Sequence, residues 1–252
     1  SSSPLGSITG VDSYSRRDRP SHMSFSEPTT MVTDYVLAVL CGFFAWRLWR
    51  VGWGGAQTSV CSWAAGFVCF GVASLAGGTV HGFSTLLSEA ALQSLWKVTI
   101  YAVGLASFFL LVGTLSACIV PSLRRFTLLI PYVQLIVYAL WMATHDDFRY
   151  VIYDYAFTNL GIVALQFYAG ITRRARSAPW LAGGVLVSFL AAAAQFNEIA
   201  LHQHFNHNDI YHVIQMGGMY LFYRGALVLK DRSPALFTKV STATAETPLR
   251  QA

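Results

Sequence analysis

Charge is what this chain has least of. Lys, Arg, Asp and Glu together make 12% of its 252 residues, against 54% hydrophobic. A soluble enzyme carries roughly a quarter of its residues charged, so that class is excluded and a polytopic membrane protein is expected. Cysteine is sparse as well. Of the four, Cys41 and Cys69 fall inside apolar runs and Cys61 and Cys118 at run ends facing the reducing side, so no structural disulfide is expected. Alternation of apolar and polar residues is missing, which argues against a β-barrel. Basic residues are not interleaved with aromatics in the manner of a nucleic-acid surface. No internal repeat is visible, and no apolar run precedes Met31, so no cleavable signal peptide is expected.

What is present is a series of solid apolar runs of about 20 residues, the length that crosses a hydrocarbon core. Seven fit: Met31 to Trp49, Val60 to His81, Leu95 to Cys118, Phe126 to Thr144, Tyr150 to Thr172, Trp180 to Leu201 and Ile210 to Leu229. Backbone groups in lipid must pair within their own segment, so each run is expected to be a helix. The expected fold class is all-α: a polytopic integral membrane protein, a seven-transmembrane-helix bundle over residues 29–232. Residues 1–28 read as a disordered, Ser-rich leader whose "PLGS" and "SHM" stretches look like cloning scars, and residues 233–252 as a flexible polar tail.

Basic residues set the expected orientation, because short cytoplasmic loops retain Lys and Arg. Arg47 and Arg50, Arg124 and Arg125, Arg173, Arg174 and Arg176, and Lys230 and Arg232 follow spans 1, 3, 5 and 7, all on one side. That side is expected to be cytoplasmic, with the C-terminus, in what reads as a bacterial inner membrane; the N-terminus is expected outside, against which only Arg16, Arg17 and Arg19 speak.

The opposite, outer face collects the histidines. "HQHFNHNDIYH" holds His202, His204, His207 and His212, while His81 and His145 end spans 2 and 4. Any single one reads equally as a half-wet interfacial side chain. Acids gather on the same face: Asp34 opens span 1, Asp146 and Asp147 precede span 5, Asp154 lies about a turn inside it, Glu198 falls one turn before the end of span 6, and Asp209 begins span 7. Ionisable groups within spans cost about 3 kcal/mol on insertion scales, so Asp154, Glu198 and Lys97 are expected to point inward. Lys97 alternatively forms a structural ion pair with Asp154 or Glu198. Helical spacing gives inward stripes of Gln195, Glu198 and His202 on span 6, Asn208, His212 and Gln215 on span 7, and Gln134, Tyr138, Trp141 and His145 on span 4. With Ser74 and His81 of span 2, Lys97 of span 3 and Asp154 of span 5, six helices are expected to meet at one outer cavity. Plainer readings stand beside these: close helix packing for the glycines of "GGTVHGF", and capping of span 7 by Asn208 or Asp209.

Seven spans, a histidine ending span 2 and "NDIYHVIQ" opening span 7 together resemble the CREST superfamily of membrane hydrolases, which includes alkaline ceramidases and the adiponectin-receptor family. Those proteins hold a zinc ion and its water with a Ser-x-x-x-His pattern in span 2, an Asp in span 3 and a His-x-x-x-His pattern in span 7. His81 and His212 match two of these histidines; Gly77 stands in place of the serine, Asn208 in place of the first span 7 histidine, and span 3 offers Lys97 and no acid. "HFNHNDIYHVIQ" looks more like a bacterial offshoot of the superfamily than like either named family.

The resemblance implies a zinc-dependent hydrolase acting on a lipid amide or ester at the outer face. A catalytic zinc needs about three protein ligands: His81 and His212 would be two, with His207, His202 or Glu198 as the third. Glu198 or Asp154 would act as general base, and Asn208, Asp209, Gln215 and Lys97 would orient the ligands. Two other classes compete: a non-enzymatic receptor or metal sensor on the same fold, and a haem or copper protein. Haem is disfavoured because the spans lack a second histidine layer on the inner side. Neither the lipid nor the oligomeric state can be read from the residues.

Overall fold

A computed structural model describes residues 26–202 and 205–232. The described residues are helical nearly throughout, the one bridge of β type being that between His202 and Phe205. The helices are α1 (Pro28–Gly54), α2 (Thr58–Phe83), α3 (Glu89–Cys118), α4 (Pro121–Thr127), α5 (Leu129–Thr144), α6 (Phe148–Arg173), α7 (Ala178–Phe196) and α8 (His207–Ala226). Every apolar run seen in the sequence is helical over most of its length. Five are long and apolar enough to cross a membrane: α1, α2, α3, α4 with α5 taken together, and α7.

Local chemistry sets the ends. Ser88 accepts from Ala91 N at the start of α3, and Asp147 accepts from Arg149 N at the start of α6. The Arg149 side chain also donates to Asp147, holding that carboxyl below the usual range. Asn206 caps α8 in a full capping box with Asp209, so neither Asn208 nor Asp209 is the cap itself. The fourth apolar run, expected to be one helix, is offset at Leu128, where Pro131 has no N–H to give Thr127. At the far end of the fold, Asp231 accepts from Thr58 N (2.7 Å) and Ser59 N (2.8 Å), tying the segment after α8 to the first turn of α2.

Packing orders the helices as a ring: α1 on α2, α2 on α3, α3 on α6, α6 on α7, α7 on α8, and α8 back on α1. α5 stands outside that ring against α3, held by Tyr138 donating to Ile100 O (2.8 Å) and by Lys97. Trp63, Phe67, Leu110, Ile162, Leu181 and Phe222 fill the ring at 0–1% exposure. Val39, Leu140, Phe167 and Ile171 point outward at 67–72% exposure, the reverse of a soluble protein's distribution.

The fold also sorts the two plain readings raised by the sequence. Gly78 permits close approach of α1: a Cβ there would lie 2.7 Å from Asp34 Cβ. Ser26 and Glu27, expected in the leader, hydrogen-bond through their amides to Gly82 O and His81 O (both 3.2 Å). The fold therefore begins slightly before residue 29.

Candidate functional site

At the end of the ring where α1, α3, α6 and α8 begin and α2 and α7 stop, a cavity of about 160 Å³ opens. Its walls come from α1, α2, α3, α6, α7 and α8. The expected convergence of six helices is therefore met with one exchange: span 4 contributes nothing and span 1 takes its place, because α5 lies outside the ring.

The centre of the site is His212, on the second turn of α8. Its Nδ1 is 3.0 Å from Thr33 Oγ1 and its Nε2 is 3.3 Å from Asp34 Oδ1. Both residues are buried, Asp34 at 4% and His212 at 8% exposure. The Thr33 hydroxyl has a single proton and donates it to Thr30 O (3.0 Å), so toward His212 it is an acceptor and Nδ1 carries the N–H. Nε2 then faces a carboxylate with its lone pair. Two acceptors face each other there, at a distance beyond ordinary N–H···O bonding, and the arrangement calls for a proton or a cation between them.

His81, one turn from Gly77 on α2, lines the same cavity. Its Nδ1 is 3.0 Å from Glu27 Oε2, which leaves Nε2 for the cavity. Gly77 brings α2 close: a Cβ on it would lie 3.7 Å from Asp34 Oδ2 and 3.5 Å from Thr99. Deeper in, Gln195 donates to Asn208 Oδ1 (2.8 Å) and Gln215 to Ser188 Oγ (3.2 Å). Among the described residues Gln195 Oε1 and Gln215 Oε1 are buried without a hydrogen-bond partner, and Tyr155 lines the cavity beside them. Leu37, Phe70, Val103 and Met219 make the remaining wall apolar.

His81, His212, Asn208 and Gln215 are thus brought together as expected. The other candidates are not, each for a local reason. Glu198 lies past the end of α7, exposed, with a left-handed backbone (φ 49°), so the stripe through Gln195 and His202 ends at Gln195. Asp154 faces the opposite side of α6 and takes a hydrogen bond from Gln134 (2.8 Å) across to α5. Lys97 donates to Met142 O (2.7 Å) and pairs with Asp146; its acid is neither Asp154 nor Glu198, and it caps α5 instead of reaching the cavity. His202 is exposed in the loop bridge, His207 is half-buried at the first position of α8, and neither lines the cavity. Asp209 is buried in the capping box. Trp141 and His145 of span 4 stack on each other away from the cavity, ring centroids 4.1 Å apart. His204 lies outside the described residues.

Thr33 and Glu27 carry no signal in the sequence, and Asp34 stands there only as an acid that opens span 1 on the outer face, not as a ligand. Its place three residues inside an apolar run is the signal for more than that, because a charge there must find a partner within the bundle. Among the described residues no three His, Cys, Asp or Glu side chains are grouped closely enough to hold a metal ion. The Asp34–His212 pair would become such a set if His81 closed on it.

The chain belongs to the family of unknown function DUF6962, which matches residues 29–231, the whole helical body. No curated protein and no solved structure matches the chain.

Proposed function

Family membership carries no activity with it, and we propose from the cavity itself that this is a zinc-dependent membrane hydrolase cleaving a lipid amide or ester. The observation that carries the reading is the Asp34–His212 pair facing the wall that holds His81. Two imidazoles and one carboxylate are a catalytic-zinc donor set. Each histidine has its other ring nitrogen held, by Glu27 for His81 and by Thr33 for His212, as metal-bound imidazoles do. The 3.3 Å between Nε2 and Oδ1 suits neighbouring donors of a tetrahedral ion, which stand roughly 3.3 Å apart for bonds of about 2.0–2.1 Å. When bound, zinc would supply a water of pKa about 7 and polarise a carbonyl.

The chain's own groups do the rest. Tyr155 lines the cavity, and its OH would donate to the substrate carbonyl oxygen. Asn208, its Oδ1 engaged by Gln195, keeps its N–H₂ for a polar headgroup. The wall of Leu37, Phe70, Val103 and Met219 would take the start of an acyl chain. On this reading all seven runs cross the membrane, α6 and α8 included. α6 presents Phe157, Leu160, Phe167 and Ile171 outward at 53–68% exposure, which suits lipid, and its one acid, Asp154, and Gln166 point to neighbouring helices. The arginine-bearing end lies in the cytoplasm and the cavity opens on the outer face.

A metal-free polar pocket, receptor-like in kind, is the competing reading, favoured by the incomplete donor grouping. Elemental analysis separates the two. Protein purified without chelator and with zinc supplied is expected to carry close to one zinc per chain, and His81→Ala or His212→Ala to lose most of it while the helical circular dichroism is kept. His202→Ala is expected to keep it. Metal-free wild-type protein would sink the hydrolase reading. Topology has its own check: a reporter fused after Leu229 should read cytoplasmic and one in the loop before α8 external, and the reverse would place the cavity in the cytosol.

A further inference from the structure

A second cavity, of about 410 Å³, lies at the opposite end of the ring between the ends of α3, α6 and α8 and the start of α7. Its lining includes Arg173, Arg176 and Lys230, with Ser177, Gln166 and Cys118 beneath them. The floor is built: Ser177 donates to Gln166 Oε1 (2.8 Å), Gln166 reaches Cys118 Sγ (3.5 Å), and Gln166 and Ser177 are 1% and 4% exposed. Arg173 is fixed by donating to Ala117 O (3.2 Å). Arg176 and Lys230 are exposed, and among the described residues neither has an ion-pair partner. The nearby acid in sequence, Asp231, has both carboxylate oxygens on the amides of α2. Retention of Lys and Arg on one side of a membrane accounts for basic residues being at this end. It does not account for three of them from two separate segments rimming one pocket with no salt-bridge partner among the described residues.

We propose that this pocket binds a phosphate-bearing anion, with Arg176 and Lys230 as its mobile cations and Arg173 as the fixed one. A bidentate guanidinium suits phosphate oxygens, and a basic pocket between helix ends at the surface of a bilayer is where a phospholipid headgroup would come to rest. The phosphate belongs either to an anionic lipid or to a soluble phosphate, and the site is independent of the cavity at the other end.

The test uses the full chain, released for native mass spectrometry from vesicles of equal phosphatidylglycerol and phosphatidylcholine. Wild type is expected to retain phosphatidylglycerol over phosphatidylcholine by roughly tenfold, and Arg176→Ala/Lys230→Ala to bring the ratio close to one. Both side chains are exposed, so the double variant should fold. Arg47→Ala/Arg50→Ala removes two charges from the same end and is expected to leave the ratio in place. A second arm offers inorganic phosphate alone in detergent: binding that the double variant loses, without lipid preference in the first arm, assigns the site to a soluble phosphate. Equal retention of both lipids together with no phosphate binding overturns the proposal. So does a loss of preference in Arg47→Ala/Arg50→Ala as large as in the pocket variant.

Discussion

Asp34→Ala is expected to strip the cavity of zinc and to cost the fold about 1–3 kcal/mol, the penalty for leaving a buried polar group without its partner. Asp34 is 4% exposed and its Oδ1 faces His212 Nε2, so truncation leaves an imidazole lone pair buried with nothing to meet it. Asp34→Asn divides the effect. Its amide can donate to the Nε2 lone pair, which restores a hydrogen bond, but it lacks the charge that a divalent cation needs. Stability is therefore expected to return to within about 1 kcal/mol of wild type, with zinc content still down by tenfold or more. Urea or thermal midpoints read the first quantity and elemental analysis the second. Glu198→Ala, at an exposed position beyond α7, is expected to change stability by less than about 0.5 kcal/mol and zinc not at all. An Asp34→Asn protein that keeps its zinc would remove Asp34 from the donor set.

That contrast shows what the sequence could and could not convey. Length and apolarity of the runs reveal where helices are, because a backbone in lipid has no other way to pair its amides. Periodicity then shows which face of a helix is polar, and on α8 it was sufficient: Asn208, His212 and Gln215 do line one cavity. It is silent on which helices are neighbours. Gln134, Tyr138 and Trp141 make a polar stripe as good as that of α8, yet α5 packs outside the ring, with Gln134 spent on Asp154, Tyr138 on Ile100 and Trp141 on His145. Glu198 fails for a different reason. Its spacing has meaning only if α7 continues to Leu201, and α7 stops at Phe196 with Asn197 as its C-cap, a residue suited to ending helices. In the sequence Asp34 is one acid among several on the outer face, opening span 1. Only the closing of α8 on α1 turns it inward.

Gly113→Ala is expected to be the most damaging single methyl in the ring. A Cβ at this position of α3 would sit 2.8 Å from Ser59 O and 2.6 Å from Trp63 Cδ1. Neither neighbour can yield easily. The carbonyl belongs to the first turn of α2, which Asp231 holds from the other side, and Trp63 is fully buried against Phe222 with ring centroids 5.5 Å apart. Relief requires α2 and α3 to separate, and small residues at a transmembrane helix interface are what permits that approach. Overpacking of a filled core costs about 1–3 kcal/mol, and more where backbone must move. The upper part of that range or beyond is expected here. Gly66→Ala is the graded comparison: it meets chiefly Leu110 Cδ1, the end of a side chain with other rotamers, and should cost less. Gly42→Ala meets nothing within 4 Å and should be neutral or slightly stabilising, since it replaces the poorest ordinary helix former with the best. The measurement is the thermal midpoint of each variant in one detergent. An order other than Gly113, Gly66, Gly42 in decreasing damage would mean that α2 and α3 do not meet along this face. Because Trp63 and Phe222 join that face to α8, Gly113→Ala should also loosen the seat of His212 and lower zinc retention, although Gly113 touches no residue of the cavity.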